Sequence, residues 1–137
     1  MGEYSIREVS GLYDIPTSTL RYYEDLGLLK DVVHNDKNQR VYNDEHLAKL
    51  DAIGCFKRTG LPLSKMKEFF EYSEKLCEHI DDVVDMMVEH EESIVKQLHE
   101  LESGLVHIQH KVRFYKGIKK AIEAGELWPD WNEFADG

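Results

Sequence analysis

The sequence predicts a mainly all-α fold, in which a winged helix-turn-helix with a small β-hairpin wing precedes a long antiparallel coiled-coil dimerisation helix. Three observations carry this prediction. Two short amphipathic segments flank a break at Pro16, a turn-rich stretch with apolar arms follows them, and apolar residues repeat in heptads over the second half of the chain.

The first two helices have recognisable start and stop signals. In "SIREVSGLYDIP", Ser5 precedes Glu8 by three residues, which is the spacing of a capping box in which each side chain bonds the other residue's amide. Pro16 cannot continue this helix, so we expect "TSTLRYYEDL" to form a second helix that starts around Pro16–Thr17 and ends at Gly27.

The segment after Gly27 has the pattern of a β-hairpin. Apolar arms at Leu28–Val33 and Val41–Tyr42 flank the polar tip His34–Gln39. Apolar arms on either side of a turn-forming tip predict a short wing beside the two helices.

Two more helices are predicted between the wing and the second half of the chain. Asn43 or Asp44 is suited to cap a helix that runs to about Thr59. The chain breaks at Gly60, and Ser64 is placed to cap the following helix. The apolar residues expected to face the core from these two helices are Leu47, Leu50, Ile53, Met66, Phe69 and Phe70.

Apolar residues of the second half follow a heptad repeat from about Ile80 to Ile122. About six heptads correspond to a helix of roughly 65 Å, and so narrow an apolar stripe needs another long helix to cover it. The chain offers no second long helix, so we expect a homodimer; the alternative is a long helix that packs on its own domain. The heptad residues expected in the dimer interface are Val84, Met87, Ile94, Leu98, Leu101, Leu105, Ile108, Val112 and Tyr115.

Two charged residues interrupt the repeat and indicate the orientation of the dimer. In a parallel dimer Glu91 would lie near its own symmetry mate, and so would Lys119, which is unfavourable for both. In an antiparallel dimer that crosses near residue 103, Glu91 would approach Tyr115 of the other copy, with Lys119 one turn away. The sequence therefore predicts an antiparallel coiled coil.

Composition and charge divide the chain into unlike parts. We expect a winged helix-turn-helix domain at 1–73, a coiled-coil helix at 74–124 and a short aromatic tail at 125–137. The formal net charge is −10, with 10 basic and 12 acidic residues in 1–73 against 7 and 15 in 74–137. The acidity thus belongs mainly to the second half, and a local basic face in the first half could still meet phosphate.

The cellular setting is predicted from what the sequence contains. The stretch "MGEYSIREVS" has no apolar region typical of a signal peptide, and no apolar run approaches ~18 residues, so we expect a cytoplasmic protein without a membrane segment. Cys55 and Cys77 are too few for a disulfide framework. In the tail, Trp128, Trp131 and Phe134 are expected either to pack on the end of the coiled coil or to border a pocket.

A winged helix-turn-helix followed by a dimerisation helix is typical of a DNA-binding regulator. The second helix of such a motif points its N-terminal residues at base edges. Leu20 and Tyr23 are candidates for the core of the motif. The residues expected to contact bases or the DNA backbone are Thr17, Ser18, Arg21 and Tyr22, with Lys37, Asn38, Gln39, Arg40 and Tyr42 from the wing, where the alternative is that polar residues are merely solvated.

Together, "TLRYYEDLGLL" and "RVYNDEHLAKLDAIGCFKRTGLPLSKMKEFF" resemble the MerR family of transcription regulators over about residues 4–72. The resemblance implies a homodimer that bends and untwists an over-long promoter spacer, so that RNA polymerase is engaged indirectly through the promoter. It also implies DNA-backbone contacts at Arg21, Tyr22, Arg40 and Tyr42, and a second wing at Lys65. Pro16 departs from the family pattern, which has Ser or Thr there.

Cys55 is the candidate sensor residue. It lies away from the apolar stripe of its predicted helix, and its neighbours Lys57 and Arg58 provide a positive field, which favours a thiolate. The alternative is a small residue packed on a second face. A branch of the MerR family that responds to aldehydes and thiol stress is similar here. It carries one cysteine at this place, in a "C-x-x-x-x-G-L" context that matches Cys55 to Leu61, and its long helix ends in a motif like "HKVRFYKG". This resemblance favours Cys55 as a thiol sensor.

Other function classes have less support. Cys77 with His79 would make an incomplete metal site, so a metal-responsive regulator is an alternative and no metal is predicted. About 15 residues after the coiled coil are too few for an enclosed ligand pocket, which disfavours a small-ligand-responsive regulator. No catalytic residue pairing is apparent, so we expect neither an enzyme nor a cofactor. A coiled-coil adaptor that does not bind DNA is the alternative from a different class.

Overall fold

The computed structural model describes residues 2–134, so residue 1 and the last three residues of the predicted tail lie outside the described part. The elements in chain order are β1 Glu3–Ser5, α1 Ile6–Tyr13, α2 Thr17–Asp25, β2 Val33–His34, β3 Arg40–Asn43, α3 Asp44–Arg58, α4 Leu63–Glu74, α5 Leu76–Ala124 and the 3₁₀ helix Trp131–Phe134. This order confirms the predicted helical fold with a small antiparallel sheet and a long C-terminal helix. No helix in the described range is long and apolar enough to cross a bilayer.

Local signals set the ends of α1 and α2. The Ser5–Glu8 capping box is present at the start of α1, where the Ser5 hydroxyl accepts from the Glu8 amide at 3.1 Å. Pro16 takes the N-cap position of α2 without a side-chain hydrogen bond. Gly27 follows the C-cap of α2 with φ of 80°, a left-handed conformation that glycine adopts without strain.

The sheet has three strands rather than the predicted two. β3 is central and pairs antiparallel with both β1 and β2, so the N-terminal strand extends the wing hairpin. The predicted arm Leu28–Val33 was wrong in most of its length. Leu28 and Leu29 are 1% and 2% exposed and belong to the core of the domain, while β2 is confined to Val33–His34. These residues were predicted as a strand because they are apolar. Residues that are buried in a helical core are equally apolar, so this property does not distinguish the two cases.

The N-cap residues of α3 and α4 are Asn43 and Pro62. Asn43, not Asp44, caps α3, and the usual Glu of a capping box is replaced by His46, whose Nδ1 accepts from the Asn43 amide at 3.0 Å. The prediction of Ser64 as the cap of α4 was wrong, because α4 already starts at Leu63 behind Pro62. A proline fits at a helix start, where the amide it lacks would have no helical partner.

One hydrophobic core joins α1, α2, β3, α3 and α4. It includes the residues predicted to face inward from α2 and most of those predicted from α3 and α4, while Leu47 and Phe69 are half-buried. The buried members are Val9, Leu20, Tyr23, Leu28, Leu29, Tyr42, Leu50, Ile53, Phe56, Leu61, Met66 and Phe70. This core fixes α2 and the wing relative to each other.

The long helix α5 is continuous except at His79, where the backbone leaves helical geometry with φ of −123° and ψ of 19°. Two compact units divide the chain, Met1–His90 and Glu91–Gly137. In the second unit the 3₁₀ helix returns to α5, and the Trp131 ring lies 3.7 Å from the His110 ring and 5.0 Å from the Phe114 ring, centroid to centroid. Trp131 therefore packs on the helix, whereas Trp128 is exposed.

Candidate nucleic-acid interface and thiol site

The helix α2 has one polar and one apolar face. Leu20 and Tyr23 are buried, as expected from the sequence. Tyr22, by contrast, is 50% exposed, and Arg21 beside it also lies at the surface. At the N-terminal end Ser18 is exposed and Thr17 is half-buried. The structure thus brings the four α2 residues predicted to contact DNA to one end and one side of the helix.

The wing tip is a turn organised by Asn35. Its Oδ1 accepts from the Lys37 amide at 2.9 Å and from the Gln39 amide at 3.0 Å, while its backbone bonds both Gln39 and Asn38. Asn38 has φ of 60°, which asparagine tolerates better than most residues. Lys37 and Asn38 are therefore presented on an exposed, ordered tip. Sequence reasoning missed Asn35, although asparagine is a typical residue for such a turn.

A carboxylate joins the wing to α2. Arg40 Nε donates to Glu24 Oε2 at 2.6 Å, and the Tyr42 hydroxyl donates to the same oxygen at 3.3 Å. Burial raises the pKa of Tyr42 to about 12, the charge of Glu24 adds to this rise, and Arg40 and Arg21 oppose it. Glu24 was also missed from sequence, since nothing local indicates a partner 16 residues away.

Tyr42 corrects the predicted set of DNA contacts. Its side chain is 0% exposed and packs edge-on against the His46 ring at 5.7 Å. A phenol without accessible surface cannot reach a phosphate while it stays in the core. We therefore assign Tyr42 to the core and keep Arg40, which is half-buried, as the contact candidate of β3.

Lys65 lies in the first turn of α4, where the family resemblance implies a second wing. Its side chain is 53% exposed and its Nζ is 3.3 Å from the Glu68 carboxylate, one turn along the same helix. An exposed pair of this kind is weak and salt-screened, so the ammonium group stays available to another anion.

Cys55 is exposed in the last turn of α3, which disagrees with the alternative of a packed small residue. Its carbonyl accepts from the Thr59 hydroxyl at 2.8 Å. That hydroxyl also lies 2.8 Å from Nε2 of His90, a residue of α5 that is 9% exposed and packs edge-on against Phe56. A hydrogen-bonded path thus runs from the backbone of Cys55 to α5, and neither Thr59 nor His90 was anticipated from sequence.

The second cysteine has different surroundings. Cys77 is exposed in the first turn of α5, before the irregular backbone at His79. The His79 ring stacks on Tyr72 at 4.8 Å, and its Nδ1 lies 3.0 Å from the Asp82 carboxylate. Within the part of the chain that the structure describes, no group of three or more His, Cys, Asp or Glu side chains is placed to hold a metal ion.

The heptad residues of α5 are mostly exposed. From Leu98 to Tyr115 each predicted interface residue is at least 46% exposed, and Leu101 reaches 70%. Val84, nearer the N-terminal end, is 49% exposed, whereas Met87 is half-buried against the core of the first unit. Met87 thus packs against its own domain, and its part in the dimer interface stays a prediction, because the heptad frame does not reveal which side of α5 meets that domain.

Known proteins are similar to this chain in both sequence and fold. Residues 4–73 match the model of a family described as MerR HTH family regulatory protein. An uncharacterised HTH-type transcriptional regulator of Haemophilus influenzae is 27% identical over 116 residues, which cover 85% of this chain and 86% of the relative.

Two solved structures extend the comparison to the whole fold. The crystal structure of HiNmlR, described as a MerR family regulator lacking the sensor domain and bound to promoter DNA, matches with a TM-score of 0.81 and 26% identity over 91% of this chain and 92% of that chain. A MerR family transcriptional regulator of Bacillus thuringiensis matches with a TM-score of 0.73 and 30% identity, covering 82% of this chain and 98% of that chain.

Proposed function

Because this chain belongs to the MerR family of helix-turn-helix regulatory proteins, we propose that it is a transcription regulator that binds and distorts promoter DNA as a homodimer and responds to electrophiles through Cys55. The observation that carries the DNA-binding part is the exposure of one polar side of α2 beside the ordered wing tip. The similar protein HiNmlR was solved bound to promoter DNA, which supports the same role here.

The proposed interface combines base contacts with backbone contacts. Thr17 and Ser18 are small hydroxyl residues at the N-terminal end of α2, where a recognition helix meets base edges. Arg21, Tyr22 and the wing would hold the sugar-phosphate backbone, and Lys65 of α4 would hold it at a second place. Contacts at several places on one rigid unit allow part of the binding energy to deform the duplex. RNA polymerase would then be affected through the shape of the promoter.

Gel retardation in a salt series tests this part. The probe is duplex DNA from the region upstream of the protein's own coding sequence, and an unrelated duplex of equal length is the reference. We expect tighter binding to the upstream DNA and a logarithm of affinity that falls linearly with the logarithm of salt concentration. Failure to bind either duplex at low salt would favour the coiled-coil adaptor instead.

The homodimer is proposed from the exposed apolar residues of α5. Leu101 and Leu105 are 70% and 57% exposed, which is unusual for a contiguous heptad stripe in a monomer. The antiparallel orientation predicts that Glu91 of one copy faces Tyr115 of the other. In a variant without native cysteines, Glu91→Cys combined with Tyr115→Cys should form an intermolecular disulfide, and Glu91→Cys alone should not. Ready pairing by the single variant would indicate a parallel dimer.

Cys55 is proposed as the sensor because its exposed thiol lies at an end of α3 that is tied to α5. In the proposed step the sulfur adds to the carbonyl carbon of an aldehyde, the thiol proton passes to the carbonyl oxygen, and a hemithioacetal forms without another reactant. The added group would disturb the last turn of α3, and the path through Thr59 and His90 would pass this disturbance to α5.

The two exposed cysteines provide a matched test of this proposal. Cys55→Ala should abolish the transcriptional response of a promoter reporter to a small aldehyde, whereas Cys77→Ala should leave it unchanged. Competitive alkylation with iodoacetamide, read by mass spectrometry of the wild-type protein, should show that a small aldehyde protects Cys55 more than Cys77. A Cys55→Ala protein that still responds fully would exclude the sensor role.

A further inference from the structure

The carboxylate of Glu24 contacts a basic residue of the wing that we propose as a DNA contact. Arg40 of the wing bonds one oxygen of this carboxylate through Nε, and Tyr42 bonds the same oxygen. Arg21 precedes Glu24 by one helical turn, and its charge acts on Tyr42 together with that of Arg40. Glu24 therefore bonds the guanidinium of the wing from a helix that carries a second arginine one turn away.

Charge alone does not explain an acidic residue in this place. A carboxylate near DNA repels phosphates and should weaken binding. A partly exposed ion pair also adds little to folding stability, and the Arg40 and Glu24 side chains are 30% and 17% exposed. The feature that remains is geometric. The short Nε contact restrains the Arg40 guanidinium and ties the wing to α2.

We propose that Glu24 is a positioning residue for DNA binding, which orients Arg40 and makes the wing and α2 bind the duplex as one unit. This inference rests on the proposed DNA-binding function. Arginine has five N–H donors in a rigid fork, so the bond from Nε leaves donors for a phosphate. Holding the side chain before DNA arrives reduces the ordering cost of binding.

The sign of a charge-removing substitution separates positioning from simple charge. Glu24→Gln and Asp25→Asn each remove one negative charge from neighbouring positions of α2, and Asp25 is exposed. If only charge matters, both variants bind DNA as tightly as wild type or more tightly. Glu24→Gln keeps an oxygen acceptor but loses the charge-assisted bond, which is roughly twice as strong as a neutral one. Positioning therefore predicts that Glu24→Gln binds DNA about five- to ten-fold more weakly, as expected when one long side chain must be ordered on binding, while Asp25→Asn does not weaken binding.

A double-mutant cycle tests whether Glu24 acts through Arg40. We expect Arg40→Gln to reduce the salt dependence of binding by about one phosphate contact, and Glu24→Gln to reduce it similarly. Added to Arg40→Gln, the Glu24→Gln change should have little further effect. Arg40→Lys keeps the charge without the Nε donor, so there too Glu24→Gln should change affinity little.

The same titrations distinguish the possible failures. Circular dichroism of the free variants confirms that each is folded before its affinity is measured. If the wild-type protein binds DNA and Glu24→Gln binds it equally tightly, the positioning role is overturned while the proposed function stands. The same conclusion follows if the effects of Glu24→Gln and Arg40→Gln on affinity are independent. Wild-type protein that binds neither duplex at low salt contradicts the proposed function, and this inference falls with it.

Discussion

Replacing Thr59 by Val should weaken the connection between α3 and α5 in a measurable way. The Thr59 hydroxyl bonds the Cys55 carbonyl at 2.8 Å and lies 2.8 Å from His90 Nε2, so we assign the Nε2 proton to the bond between His90 and this hydroxyl. The Cys55 and Phe56 carbonyls keep backbone partners, namely the amides of Thr59 and Leu61. The main loss is therefore the partner of the nearly buried His90 ring.

The expected cost follows from that loss. Leaving one buried polar group without a partner costs ~1–3 kcal/mol, and His90 retains 9% exposure, so we expect ~1–2 kcal/mol. For a unit of this size such a change lowers the melting temperature by about 5–10 °C. Thermal unfolding followed by circular dichroism checks this, at equal protein concentrations because a dimer's melting temperature depends on concentration.

Two further variants decide whether the reasoning is right. Thr59→Ser keeps the hydroxyl and should be clearly more stable than Thr59→Val. Thr59→Val combined with His90→Leu removes both polar partners, so its cost should be less than the sum of the two single costs. If Thr59→Val is as stable as Thr59→Ser, or if the single costs simply add, the Thr59 hydroxyl does not stabilise the protein through His90.

Other predictions concern the DNA interface, the dimer and the N-terminal strand. Arg21→Ala should weaken binding to upstream and unrelated DNA alike and lower the salt slope by about one, as measured by gel retardation. Leu101→Glu places a charge near the proposed crossing point and should give a monomer by light scattering, whereas a stable dimer would contradict the proposed interface. Bonds from the Gly2 amide and then the Tyr4 hydroxyl hold the pKa of Asp44 below its ordinary 3.8. This contribution to stability is present above pH 3.8 and is lost as pH falls through the lowered pKa, so Asp44→Asn should destabilise the protein at pH 7 and less at pH 3 in denaturant titrations.

The parts of the fold that depend on local spacing were predictable. The Ser5–Glu8 capping box and Gly27 at the end of α2 involve residues that lie close together in the chain, so their geometry follows from the sequence itself. The length of α5 followed from its heptads for the same reason. The start of α4 was misplaced because both Pro62 and Ser64 are acceptable near a helix start, and the helix begins directly after Pro62.

The candidate site was predictable only in part. The outward side of α2 could be read from its period, which separates Arg21 and Tyr22 from the buried Leu20 and Tyr23. The burial of Tyr42 could not be predicted, because side chains of a strand alternate between the two faces of the sheet and the sequence does not state which face meets the core.

By itself, then, the sequence determined the order of the helices, the family motif in "LRYYEDLGL" and the polar side of α2, because these depend on residues within a few turns of one another. Only the tertiary structure decided that Glu24 holds Arg40, that Thr59 meets His90, and that Met87 packs on its own domain. These pairings join residues far apart in the chain. Their energies depend on which faces of the elements come together, and a helical or strand period fixes a face without fixing its partner.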